Sequence, residues 1–113
     1  MTFDNFTEKA VAALTEAQRS ALKRQHQQNE DLHLLAALMS QENGFVPPLL
    51  QRAGLDIAAA GMRLEEALSR IPAVTGSGAA AQQIGLSARA QRSLIAADEE
   101  AKALGDEFVS VEH

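Results

Sequence analysis

The 113-residue sequence contains no cysteine, tryptophan or tyrosine, and four phenylalanines are its only large aromatic rings. Without cysteine, neither a disulfide framework nor a cysteine metal site can form, which fits a reducing compartment. The first residues lack the basic segment and apolar run of a signal peptide, and no stretch approaches the roughly 20 apolar residues that a membrane span requires. We therefore expect a cytoplasmic protein with no membrane partner.

Acidic residues outnumber basic ones: the chain has fifteen Asp and Glu but only ten Lys and Arg, which gives a net charge of -5. This charge repels phosphate backbones and removes the attraction on which nucleic-acid binders depend, so no nucleic-acid partner is expected. Alanine is abundant, with 22 copies, and hydrophobic residues make up 46% of the chain. Small side chains in this number indicate closely packed helices in a single domain.

Apolar residues at three- and four-residue steps predict five helices, and no strand pattern competes with them. The first lies between Phe6 and Leu22, and the second is "NEDLHLLAALMSQENG", ended by Gly44. The third, fourth and fifth are "PPLLQRAG", "IAAAGMRLEEALSRI" and the segment closed by Gly105. Predicted N-caps are Thr7, Asp56 and Ser87, and Gly54 is suited to a left-handed helix end.

The chain repeats itself at an offset of 80 residues, which places residues 7–33 on residues 87–113 with five identities in 27 positions. Chance alone gives about two identities in so alanine-rich a chain. The matches nevertheless share one helical face, and they include two histidines, His33 and His113. We predict a first repeat over about residues 4–72, a linker over about 73–85 and a partial second repeat over about 86–113.

Four segments resemble a known family: "FTEKAVAALTEAQRSAL", "DLHLLAALMSQENGFVPPLLQRAGLD", "LEEALSRIPAVTGSG" and "GDEFVSVEH". Together they resemble the amino-terminal domain of the Clp-type AAA+ unfoldases, most closely that of the ClpB-type disaggregases. The resemblance covers essentially the whole chain and implies an all-α fold of two pseudo-repeats of a four-helix unit, the second incomplete here. This chain has Gln28 and Asn29 where the family has apolar residues, which leaves open how tightly the first inter-helix turn packs.

The resemblance also implies a function. Such domains are noncatalytic parts of stress-response chaperones, and they engage exposed hydrophobic or unfolded segments of client proteins. The parent proteins are homohexameric ATPases, but this chain has no GxxxxGK phosphate loop, so we expect no cofactor here and ATP bound by later domains. The alternative is the N domain of another Clp-type unfoldase, which docks a folded adaptor; a co-chaperone system is a further expected partner.

Five residues are candidates for contact with client polypeptides. The resemblance implies Thr7, Asp106 and Glu112. Leu94 and Phe108 are candidates for the lining, because a chaperone that reads unfolded chains needs an apolar groove with acidic groups that attract neighbouring basic side chains. Thr7 is equally explained as a helix N-cap, Asp106 as a solvated residue after a helix, and Glu112 as a favourable charge at a helix N-terminus. Both readings stay open.

Other titratable residues do not converge on a catalytic or metal site. The adjacent pairs Glu65–Glu66 and Glu99–Glu100 point about 100° apart on a helix and cannot face one substrate together. His26 and His33 stand on either side of an expected helix break, so no metal site is expected, and His33 is interpreted as a packed histidine. An enzyme or a metal-binding bundle is therefore the weakest hypothesis.

The segment "GDEFVSVEH" reads as the entry into another helix of the second repeat. The fifth helix is then expected to present Leu86, Leu94 and Leu104 to that part of the fold. Each large apolar side chain left exposed would forgo about 1.5–3 kcal/mol. We therefore expect this face to be covered by residues after 113 or by another copy of the chain.

Overall fold

The computed structural model describes residues 3–74 and 84–113, and within them it has five α-helices and no strand. The helices are α1 (Glu8–Lys23), α2 (Asp31–Ser40), α3 (Val46–Arg52), α4 (Ile57–Ser69) and α5 (Ala88–Ala103). Helix α2 packs against all four others, most extensively against α1. The all-α prediction is confirmed, while residues 75–83 of the predicted linker lie outside the described residues.

Side chains cap the helices where the sequence predicts. The side-chain oxygens of Thr7, Asp56 and Ser87 accept hydrogen bonds from the amide three residues ahead, at 3.2, 3.2 and 3.0 Å. Each of these bonds gives a partner to a backbone donor that has none inside its helix. The local chemistry therefore fixes the start of α1, α4 and α5.

The helix ends follow the sequence less closely. Gly54 and Gly105 have φ of +93° and +75°, the left-handed conformation that favours glycine after a helix. The prediction that Gly44 ends the second helix is wrong, because α2 stops at Ser40 and Gln41 is already extended. The Ser40 hydroxyl donates to the Ala36 carbonyl at 3.0 Å, which satisfies a last-turn acceptor before Gly44 is reached.

Alanine side chains bring α1 and α2 together. Ala13 and Ala17 of α1 and Ala37 of α2 are buried in one cluster, partly covered by Leu34 and Leu38. A second cluster joins the two ends of the chain and consists of Phe6, Ala10, Leu94, Ala101 and Val109. The core is thus built from small residues where helices cross and from larger ones where the repeats meet.

Leu94 corrects one expectation. It was expected to present its side chain to a further part of the second repeat, but it is only 5% exposed because it packs in the cluster with Phe6 and Val109. Leu86 is half-buried against the same cluster, and Leu104 is 64% exposed. Residues 111 and 112 form a turn, and the His113 amide donates to the Ser110 carbonyl at 3.1 Å, as the His33 amide donates to the Glu30 carbonyl at the start of α2.

The two repeats meet through reciprocal backbone hydrogen bonds. We call residues 3–74, which contain α1–α4, the first unit, and residues 84–113, which contain α5, the second unit. The Thr7 amide donates to the Val109 carbonyl at 2.9 Å, and the Val109 amide donates to the Asn5 carbonyl at 2.8 Å. In the equivalent pair of bonds, the Ser87 amide donates to the Asn29 backbone carbonyl at 3.0 Å, and the Asn29 amide donates to the Gly85 carbonyl at 2.9 Å.

An offset of 80 residues converts one of these sets into the other, with the two units exchanged. The units are therefore related by a pseudo-twofold arrangement in which each N-cap segment pairs with the other unit's inter-helix turn. Asn29, polar where its counterpart is Val109, is nevertheless 3% exposed, so the first inter-helix turn is well packed. The exact residue boundaries of the two repeats stay a prediction.

Candidate functional site

An apolar groove of about 180 Å³ lies between α1, α2 and α5, where the two units meet. Its walls are mainly aliphatic and come from all three helices and from the residues after α5: Phe6, Ala10, Ala13, Leu14, Leu34, Leu38, Ser93, Leu94, Ala97, Val109, Ser110, Val111 and His113. Such a lining suits an apolar side chain and offers few groups to an ion.

The repeat explains why the groove forms there. Leu14 and Leu94 occupy equivalent positions at the offset of 80 residues, and both line the groove, from α1 and α5 respectively. Leu34 and Leu38 stand four residues apart on α2 and so lie on the same helical face. The groove is therefore the place where the apolar stripes of three helices converge.

The backbone brings Thr7 next to the segment that holds Asp106 and Glu112. Thr7 is bonded to Val109 through its amide, and Val109 is three residues from each of the two acidic residues. The Thr7 hydroxyl accepts the N-cap hydrogen bond of α1. The capping role of Thr7 is thus observed, and its contact with clients stays a prediction.

Asp106 and His113 form a close pair beside this junction. The Ser110 amide donates to His113 Nδ1 at 2.9 Å, so the ring carries its proton on Nε2 and donates it to Asp106 Oδ2 at 2.7 Å. The His113 side chain is 2% exposed and that of Asp106 is 48% exposed. Asp106 therefore anchors the turn and still offers a half-exposed carboxylate to solvent.

The remaining candidates are placed differently. Leu94 lies in the wall of the groove, whereas Phe108 is 51% exposed and is not part of the wall. Glu112 is exposed. Sequence reasoning missed Leu14, Leu34 and Leu38 as lining residues; the repeat signal could have identified Leu14 as the partner of Leu94.

Two absences hold for the part of the chain that the structure describes. Within it, no three or more His, Cys, Asp or Glu side chains gather in a way that could hold a metal ion. No helix among residues 3–74 and 84–113 is long and apolar enough to cross a membrane.

Comparison of the sequence with known families gives a match over residues 5–113 to the family described as the Clp repeat (R) N-terminal domain. The chaperone protein ClpB of Nitratidesulfovibrio vulgaris is 46% identical over 113 residues. The ClpB proteins of Rhodopseudomonas palustris and Bacillus anthracis are 37% identical over 112 residues and 34% over 113. The chain covers 12–13% of the length of these three relatives.

Solved structures show the same fold. The Hsp104 N-terminal domain from Candida albicans matches with a TM-score of 0.81 and 22% identity, over 95% of this chain and 68% of the other. The N-terminal domain of the chaperone ClpD from Arabidopsis thaliana matches with a TM-score of 0.66 and 20% identity, over 96% and 72%. The predicted family resemblance and fold class are both confirmed.

Proposed function

The chain belongs to the Clp repeat N-terminal domain family, and on that premise we propose that it binds exposed hydrophobic segments of unfolded polypeptides as the client-engaging domain of a ClpB-type chaperone. The observation that supports this most is the apolar groove of about 180 Å³ between α1, α2 and α5. Asp106 and Glu112 belong to the segment that forms one wall of it, and they supply negative charge for basic residues beside an apolar one.

The size of the groove limits what it can hold. An engineered protein cavity of about 150 Å³ accepts a benzene molecule, so the groove has room for about one large apolar side chain. An unfolded partner also loses chain entropy when it binds. We therefore propose weak affinity, about micromolar or poorer, without sequence preference beyond an apolar residue and a neighbouring positive charge.

In this proposal the domain is noncatalytic and holds no cofactor of its own. ATP is bound and hydrolysed by other domains of a homohexameric parent protein, and this domain supplies a client contact near that machinery. Docking of a folded adaptor is the alternative, and it predicts a different result in the same binding experiment.

The test is fluorescence anisotropy of a labelled, permanently unfolded polypeptide titrated with the protein. Glu112→Gln removes an exposed carboxylate that lies in sequence between the groove residues Val111 and His113, and it is expected to weaken binding about twofold to fivefold, as one exposed ion pair contributes. Glu99→Gln removes the same charge from the exposed face of α5 and serves as the matched control. Binding of a folded adaptor protein with none of the unfolded polypeptide would refute the proposal.

A further inference from the structure

Two buried histidines contact each other at the turn between α1 and α2. His26 Nδ1 lies 2.7 Å from His33 Nε2. The residues are 6% and 0% exposed, so the contact is buried. The second nitrogen of His33, Nδ1, accepts a hydrogen bond from the Glu30 amide at 2.8 Å.

These contacts fix where the protons are. A backbone amide can only donate, so His33 Nδ1 is an acceptor and the His33 proton sits on Nε2, which donates to His26 Nδ1. His26 therefore carries its own proton on Nε2, and both rings are neutral. An added proton would have to go to one of the two accepting Nδ1 atoms, where it would face another N–H group and break the bond.

The charges around the pair come from α1, from the start of α2 and, through ion pairs, from α4 and α5. Arg24 at the end of α1 pairs with Glu65 of α4 at 2.9 Å. Glu30 and Asp31 lie at the start of α2. Asp31 is 3.6 Å from Arg89 of α5, and Arg70 at the end of α4 is exposed.

Burial is the largest cause that lowers the pKa of each histidine. For His26, the Arg24 charge adds to burial, while the backbone of Ile71 and the Glu30 charge oppose it. For His33, a proton on His26 and the charge of Arg24 add to burial in lowering the pKa, and Glu30 and Asp31 oppose it. The environment therefore favours the neutral pair that the hydrogen bonds require.

The turn that the pair stabilises joins three parts of the protein. The Val74 amide donates to the Gln25 carbonyl at 2.8 Å, which ties the segment after α4 to the turn. Asn29, in the same turn, exchanges backbone hydrogen bonds with Gly85 and Ser87 of the second unit. Loss of the histidine contact would thus loosen α4 and the second unit together.

We propose that the His26–His33 pair is a pH-sensitive latch, which holds the α1–α2 turn at neutral pH and opens when either ring takes up a proton. Because the unfolded chain has ordinary histidines, it binds more protons than the folded chain below about pH 6.5. The stabilisation is therefore fully present above about pH 6.5 and is lost as the pH falls towards the lower folded values. This inference does not depend on client binding.

The second unit contains a natural control. Asp106 occupies the position equivalent to His26 and accepts the bond from His113, with the same 2.7 Å separation and the same capping bond from a backbone amide. A carboxylate can only accept in this contact and attracts a protonated ring, so protonation of the ring would break the bond from the Ser110 amide but not the side-chain contact. The His26→Asp variant transfers this arrangement to the first unit.

The test is urea unfolding of the protein at pH 7.5 and pH 5.5. When the pH is lowered from 7.5 to 5.5, the wild-type unfolding constant is expected to rise by up to about tenfold for each histidine that stays neutral in the fold. His26→Asp is expected to lose most of this rise, and Asp106→His, the reciprocal change, is expected to increase it. Equal pH dependence in the wild type and in His26→Asp would overturn the proposal.

A measurement on the wild type covers the case in which a variant does not fold. Nitrogen-15 NMR of the histidine rings is expected to show Nε2–H tautomers for His26 and His33 at pH 7.5. Both rings should titrate below pH 6.5, together with faster hydrogen exchange of the Glu30 amide. Titration of either ring near 6.5 with that amide still protected would contradict the latch.

Discussion

Shortening Leu94 to alanine tests whether the two units share a core. Leu94 is 5% exposed and packs with Phe6 and Val109 on one side, while its other side borders the groove. Buried Leu→Ala changes cost about 2–5 kcal/mol, depending on how well the site collapses. Because the groove already leaves one side of Leu94 without packing partners, we expect a loss of about 2–3 kcal/mol in the free energy of unfolding.

The matched control is Ile95→Ala, which shortens the next residue on the same helix. Ile95 is 49% exposed, and an exposed substitution of this kind changes the free energy of unfolding by about 0.5 kcal/mol or less. Both variants are measured by urea unfolding followed by circular dichroism at 222 nm (far-UV). If the loss for Leu94→Ala lies within about 0.5 kcal/mol of that for Ile95→Ala, the shared core is refuted.

Three further predictions use one repeat as the template for the other, and all are read out as free energies of unfolding. Gln25 has φ of +61° where the second unit has Gly105, so Gln25→Gly should stabilise by about 0.5–1 kcal/mol, and an equal or lower stability would contradict it. Asn29 Oδ1 is buried without a hydrogen-bond partner in the described structure, while its Nδ2 donates to Gln18 Oε1 at 3.4 Å, so Asn29→Val, which copies Val109, should stabilise by about 1 kcal/mol; destabilisation would show that the bond to Gln18 outweighs the unpaired oxygen. Thr7→Ala and Ser87→Ala should each cost about 1 kcal/mol as lost N-caps, whereas a binding role for Thr7 requires that only Thr7→Ala also weakens client binding at equal stability.

Local chemistry explains which features the sequence predicts well. N-caps and apolar periodicity depend on a few neighbouring residues, and Thr7, Asp56 and Ser87 are capping residues in the structure as expected. The predicted end of α2 at Gly44 is too late, because the helix already ends at Ser40, whose hydroxyl donates to a last-turn carbonyl, and Gln41 is extended. The sequence alone does not show which of several possible helix ends is used.

Features that depend on how segments meet were harder to predict. Leu94 could be placed on an apolar face, but its burial arises from Phe6 and Val109, which the chain brings together from opposite ends. His26 and His33 lie on either side of an expected helix break, and the sequence does not show that the turn between them brings the two rings into contact. The groove has the same origin, since its walls come from three helices that the sequence cannot orient.

Methyl NMR can show whether clients bind in the groove between the units. The protein is titrated with a permanently unfolded polypeptide while the leucine, valine and methionine methyl signals are recorded. If clients bind there, progressive shifts are expected for Leu14, Leu38, Leu94 and Val111, with little change for Leu55 and Met62. Those two side chains are 48% and 69% exposed and lie outside the groove walls, so they report nonspecific adhesion. Shifts at Leu55 and Met62 with none in the groove would show that clients bind elsewhere on the protein.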